Sequence, residues 1–84
     1  MASLKLEIVT SEETVFNGNV DYVSVMSIDG RIGILPNHIS LISELDKGNL
    51  MWRDGNNEND ITIDGGFVEV KENSVTILVD GTIN

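Results

Sequence analysis

Asp29-Gly30-Arg31-Ile32-Gly33-Ile34-Leu35-Pro36-Asn37-His38 is the stretch on which the reading of this chain turns. Asp29-Gly30 is a hairpin signal, because glycine accepts the positive φ that tight β-turns demand. Arg31, Ile32, Gly33, Ile34 and Leu35 return as a strand, with Gly33 leaving room for a close backbone approach or a bulge. Pro36 has no N–H to give to a ladder, so it belongs at a strand end or edge. It is the only proline in the chain, and His38 is the only histidine.

The flanks extend this β pattern. Residues 20–27 give the strongest strand signal, with Val20, Tyr22 and Met26 on one parity and Val23 and Val25 on the other. Apolar residues on both parities imply a strand covered on both faces. Leu4-Lys5-Leu6-Glu7-Ile8 alternates strictly and reads as a half-buried first strand. Thr10-Ser11-Glu12-Glu13 resembles a helix N-cap, but β-favouring Thr14-Val15-Phe16 follows at once. A turn and a short strand fit better, with Asn17-Gly18 as a tight connection.

Beyond His38, residues 39–45 alternate again, with Ile42 out of parity. Asp46-Lys47-Gly48 is a turn and Leu50-Met51-Trp52 a short strand. Asp54-Gly55-Asn56-Asn57-Glu58-Asn59-Asp60 reads as a long polar loop at a hairpin tip. Ile61-Thr62-Ile63, Phe67-Val68-Glu69-Val70 and Val75-Thr76-Ile77-Leu78-Val79 are strands separated by Gly65-Gly66 and Glu72-Asn73. About nine short strands with no helical period indicate one all-β domain, a flattened antiparallel β-sandwich or barrel.

Composition narrows the function. Fourteen acidic residues against five basic ones give a net charge of −9. Phosphate-backbone binding relies on lysine and arginine to release counterions, so nucleic acid is excluded as a partner. Direct adsorption to an anionic lipid surface is disfavoured for the same reason. No apolar run could span a bilayer, and the N-terminus lacks the apolar core of a secretion signal. With no cysteine and one histidine, the chain cannot seed a zinc site. His38 with Ser40 and Ser43 supplies hydrolase residue types, but an extended strand does not hold them as a triad. The oxygens of residues 54–60 do not follow the EF-hand spacing. Gly30 and Gly33 lie in a strand–turn–strand setting rather than leading into a helix, unlike a phosphate-binding loop. The acidic surplus suits a solubilising surface or a basic partner. No catalytic or cofactor residues emerge, and the residues point to a protein-binding domain.

Gly30-Arg31-Ile32-Gly33-Ile34-Leu35-Pro36-Asn37-His38, Leu45-Asp46-Lys47-Gly48, Ile63-Asp64-Gly65-Gly66-Phe67-Val68-Glu69-Val70 and Val75-Thr76-Ile77-Leu78-Val79-Asp80, in this order and spacing, resemble the epsilon subunit of bacterial F-type ATP synthases. Leu6-Glu7-Ile8-Val9-Thr10 and Phe16-Asn17-Gly18 fit as well. The resemblance implies a β-sandwich of about ten strands over residues 1–84, at the foot of the rotary central stalk. It implies a subunit without an active site or cofactor, coupling proton-driven rotation of the c-ring to the gamma subunit and to ATP synthesis in the catalytic head. It places the chain among the other ATP synthase subunits, as a peripheral membrane protein on the cytoplasmic side of the bacterial inner membrane. By motif position, the gamma-subunit interface would include Thr10, His38 and Ser43. The c-ring interface would fall on Ile28, Asp29, Gly30, Arg31 and Ile32.

Three departures stand out. Arg31 occupies a place where several bacterial relatives carry an acid, a charge reversal that leaves the sign of the expected c-ring contact open. The family usually follows its histidine with Ala-Pro-Leu, where this chain has Ile39-Ser40-Leu41; the restored backbone donor would let the strand begin earlier. The C-terminal helical pair common in relatives would start where this chain ends, at Asn84. Neither ATP binding nor helix-based restraint of hydrolysis is therefore expected. A generic β-sandwich binding module and a His38-dependent hydrolase are the competing readings.

Overall fold

Alternating apolar residues need one buried face, and nine strands supply it by curling a single sheet around a common core. The computed structural model describes residues 3–81. Met1, Ala2 and residues 82–84, on which the expectation about the C-terminal end falls, lie outside them. The strands are β1 (Leu4–Val9), β2 (Thr14–Val20), β3 (Tyr22–Ser27), β4 (Gly30–Ile34), β5 (Leu41–Leu45), β6 (Gly48–Asp54), β7 (Asn57–Ile63), β8 (Gly66–Lys71) and β9 (Ser74–Val79). Their order is β2-β1-β9-β8-β5-β3-β6-β7, with β4 on the other side of β3. All pairings are antiparallel except that of β1 with β9, which run in the same direction.

The curl comes from β3. One of its edges bonds β4 along its length, from Val23↔Ile34 to Ser27↔Gly30. Its other edge is shared: Tyr22, Val23 and Ser24 pair with β6, whereas Ser27 pairs with Leu45 of β5. The sheet therefore splits there into two layers, β2-β1-β9-β8-β5 and β4-β3-β6-β7. Leu4, Leu6, Ile8, Val68, Val70, Val75 and Ile77 of the first layer meet Val23, Val25, Ile34, Leu50, Trp52 and Ile63 of the second, all buried. The layers also meet where Phe16 on the outermost strand β2 packs against Trp52 on β6, the rings 4.9 Å apart and tilted by 42°.

Several local features depart from the sequence expectations. Asn17-Gly18 is no connection; it sits within β2 opposite Glu7 and Leu6. The reason is the Phe16 ring, which lies along the inner face over Gly18, where a Cβ would stand 3.1 Å from it. The stretch 20–27 breaks at Asp21, where the chain passes from Val20 of β2 in one layer to Tyr22 of β3 in the other. The long polar loop shrinks to a turn at Gly55 and Asn56, because Asn57, Glu58, Asn59 and Asp60 pair with Asp54, Arg53, Trp52 and Met51. Asp21 fixes that turn by accepting a hydrogen bond from the Gly55 amide at 3.0 Å. β5 begins at Leu41 and not earlier, since His38 is held in a turn by its amide donating to the Leu35 carbonyl. Pro36 and Asn37, the latter at φ 69°, occupy the centre of that turn, the arrangement of a type II turn.

Gly66 is the tightest point of the backbone. Its φ is +150°, and a Cβ there would overlap the carbonyl oxygen of Leu78 and approach the Val79 Cα at 2.9 Å. Gly66→Ala is expected to destabilise the domain by roughly 3 kcal/mol or more. That corresponds to a fall in Tm on the order of 15 °C, which thermal unfolding followed by circular dichroism would show. Phe16→Ala, which opens the margin between the layers, is expected to cost about 2–3 kcal/mol in a urea titration.

Candidate functional site

The two outer faces of the curled sheet differ in how they are covered. On β4-β3-β6 the protein's own long side chains lie flat. The Arg31 guanidinium donates from Nη1 to Ser24 Oγ at 2.7 Å and from Nη2 to the Asn49 carbonyl at 3.2 Å. Tyr22 lies across Gly33, where a Cβ would stand 2.9 Å from its hydroxyl. The Arg53 guanidinium caps the Tyr22 ring at 4.9 Å, with its Nε 3.6 Å from Asp21.

On β1-β9-β8-β5, among the described residues, no outward side chain makes a cross-strand hydrogen bond, ion pair or ring contact of this kind. The register sets Val9, Leu78, Phe67 and Glu44 in one cross-strand row and Glu7, Thr76, Glu69 and Ile42 in the next but one. Ile42 is 73% exposed, Phe67 52% and Leu78 54%. Ile42 stands between two shallow grooves, one bounded by Ser40, Glu69 and Lys71, the other by Phe67, Thr76 and Leu78. Single exposed apolar residues are ordinary, but a contiguous set marks an interaction surface. Sequence reasoning left Phe67 and Leu78 out of any site. The available signal was Ile42, the residue out of parity in its strand, together with apolar residues on the polar parity of β8 and β9.

The residues expected from motif position fall into separate places. Ile28, Asp29 and Gly30 form the β3–β4 turn, closed by Ser27. Its Oγ accepts from the Asp29 amide at 3.1 Å and donates to the Gly30 carbonyl at 2.7 Å. Gly30 has φ +125°, and Ile28 is 56% exposed. Arg31 and Ile32 belong to β4, and Ile32 packs against the core. The turn is tied to the end of β5, since the Ile28 amide donates to the Glu44 carbonyl.

Thr10 lies at this same end of the sheet, just after β1. Its Oγ1 accepts from the amides of Glu12 and Glu13 at 3.2 and 3.1 Å. His38 is at the opposite end, beside the β8–β9 turn. There the Asn37 amide donates to Asn73 Oδ1, and His38 Nδ1 donates to the Ile39 carbonyl at 2.7 Å. Ser43 stands on β5 between them, half-buried and opposite Val68, on the parity that faces inward. No hydrogen bond joins His38 to Ser40 or Ser43 among the described residues, so the three do not form a catalytic constellation.

The comparisons with known proteins agree with this geometry. A family model for the ATP synthase Delta/Epsilon chain β-sandwich domain matches residues 3–84. The ATP synthase epsilon chain of Maridesulfovibrio salexigens is 48% identical over 81 residues, covering 95% of this chain and 57% of the relative. That of Alkalihalophilus pseudofirmus is 40% identical over 80 residues, covering 95% and 60%. The chain thus spans somewhat more than half the length of these relatives. Among solved structures, a chain of the Euglena gracilis mitochondrial ATP synthase (OSCP/F1/c-ring) superposes with a TM-score of 0.92 over 99% of this chain and 54% of that one, at 22% identity. A chain of the Tetrahymena thermophila mitochondrial ATP synthase central stalk and c-ring gives 0.83 over 96% and 66%, at 18% identity. At such identities the structures support the fold alone, while the family match and the closer bacterial relatives decide kinship. This chain belongs to the ATP synthase Delta/Epsilon family and carries its β-sandwich domain.

Proposed function

We propose that this chain is a non-catalytic rotor domain of an F-type ATP synthase, coupling rotation of a proton-driven c-ring to the gamma subunit. The observation that carries the reading is the uncovered apolar face of β5, β8 and β9, opposite a face that the protein covers with its own side chains. An unpartnered sheet face in a stalk subunit is the natural seat for a neighbouring stalk subunit, and gamma is that neighbour. Thr10 and His38 mark the two ends of the contact; Ser43 lies on the strand between them but on its inward parity, so the neighbouring Ile42 carries the contact there. The β3–β4 turn meets the c-ring with Ile28, Asp29 and Gly30 at its tip, while Arg31 and Ile32 lie on the strand that carries it. The domain then sits on the cytoplasmic side of the membrane through these partners.

This division suits torque transfer. A broad apolar seat resists sliding because its free energy scales with the area removed from water, at about 25 cal/mol per Å². A tight turn held by backbone and hydroxyl bonds transmits a push at its tip without melting. Neither contact requires chemistry in this polypeptide.

Two measurements test the reading. Replacing Ile42 and Phe67 together by serine is expected to weaken binding to purified gamma subunit by about thirtyfold or more, the scale of a central interface anchor. Thermal stability should change little, because both side chains stand outside the core. Unchanged affinity would remove the apolar face from the contact. In the assembled complex, His38→Cys is expected to crosslink to gamma, whereas Asn56→Cys, in the β6–β7 turn of the other layer, is not. Equal labelling of both cysteines with and without gamma would place the contact elsewhere.

A further inference from the structure

Arg31 belongs to the stretch expected to meet the c-ring, yet its guanidinium is directed elsewhere. It crosses the outer face of β3 to Ser24 Oγ and reaches the Asn49 carbonyl on β6. Ser24 lies three residues back along β3 from Ser27, where the turn begins, a distance of about 10 Å at the strand rise. Nothing comparable holds the Asp29 carboxylate, which makes no hydrogen bond or ion pair among the described residues. At the tip the free groups are therefore Ile28 and Asp29.

The placement of β4 gives the guanidinium its task. β4 is off the main path of the sheet and bonds to β3 alone. Its inward side chains, Ile32 and Ile34, anchor it to the core from one side only. On the outer side Gly33 offers no side chain. Arg31 is the residue of β4 that reaches beyond β3, and it bonds a side chain of β3 and a backbone carbonyl of β6 at once. The planar fork of arginine suits such a double attachment, whereas the single ammonium of lysine presents its donors from one point.

We propose that Arg31 is a positioning residue, strapping edge strand β4 across β3 to β6 so that Ile28 and Asp29, and not the guanidinium, are what the hairpin offers its partner. This rests on the reading of the β3–β4 turn as the c-ring contact. It also answers the charge reversal seen in the sequence. A cation at position 31 does not reverse the sign of the tip, because it is withdrawn and engaged, and the partner loop meets the carboxylate of Asp29.

Ser24 makes the test decisive, since it is 3% exposed and cannot touch a partner. Amide hydrogen exchange of the chain bound to gamma is measured alongside its binding to detergent-solubilised c-ring. Arg31→Gln and Ser24→Ala are both expected to speed exchange of the β4 amides by about ten- to a hundredfold, the scale of losing a charge-assisted hydrogen bond. Both should weaken c-ring binding by similar factors, and Arg31→Lys should rescue neither readout fully. Ile28→Ser and Asp29→Asn should weaken c-ring binding while leaving β4 exchange unchanged. The strap is refuted if Arg31→Gln leaves β4 exchange unaltered, or if it weakens c-ring binding while Ser24→Ala does not, which would make Arg31 a direct contact. If instead the substitutions at Ile28 and Asp29 leave c-ring binding intact, the contact reading of the turn fails, and β4 exchange alone decides for or against the strap.

Discussion

The divided edge of β3 is the constraint from which the architecture follows. A strand edge carries one row of N–H and C=O groups, and on β3 that row is split between β6 at its start and β5 at its end. Two strands cannot follow one edge without diverging, so the sheet must fold over at this point and face itself. The buried aliphatic side chains then occupy the space that the fold encloses. Removing nonpolar surface from water supplies the driving force, but the partner switch on β3 decides the shape that it stabilises.

The same switch sorts the surfaces. The turns after β1, β3 and β5 gather at one end, where the Ile28 amide meets the Glu44 carbonyl and the Asp46 amide meets the Met26 carbonyl. The turn at His38 lies at the other end, joined to the β8–β9 turn through Asn37 and Asn73. A broad lateral face and a compact end turn are thereby held at fixed relative positions by one continuous hydrogen-bonded sheet. The sheet itself is what links the two surfaces.

Much of this was legible in the sequence where alternation is strict. The strict alternation of residues 4–8 puts Leu4, Leu6 and Ile8 on one face, and all three are buried. The Asp29-Gly30 turn and the terminal position of Pro36 were equally plain, because each depends on one residue's backbone chemistry. The misreadings share a cause: the deciding partner was distant in sequence. Asn17-Gly18 has the composition of a turn, yet Glu7 and Leu6 hold it in a strand and the Phe16 ring needs the missing Cβ of Gly18. Asn57, Glu58, Asn59 and Asp60 have no apolar pattern, and only the ladder to β6 makes them a strand. The direction taken by the Arg31 side chain depends on Ser24 and on a carbonyl eighteen residues away. The apolar outer face was missed because Ile42, Phe67 and Leu78 belong to three strands and become neighbours only through register.

The polar character of β7 has a further meaning. Among the described residues the curled sheet does not close, so β2, β4 and residues 57–60 of β7 lie at its edges, where backbone groups could template an unwanted strand from another molecule. On β7 that edge presents two amides and two carboxylates in succession, so a second copy that tried to add there would bring like charges together. β4 is only five residues long and runs out at Pro36, which gives an incoming strand little to hold. The residues that look least informative in the sequence thus protect the domain from aggregation, blunting by charge and brevity the edges that a closed barrel would not have had.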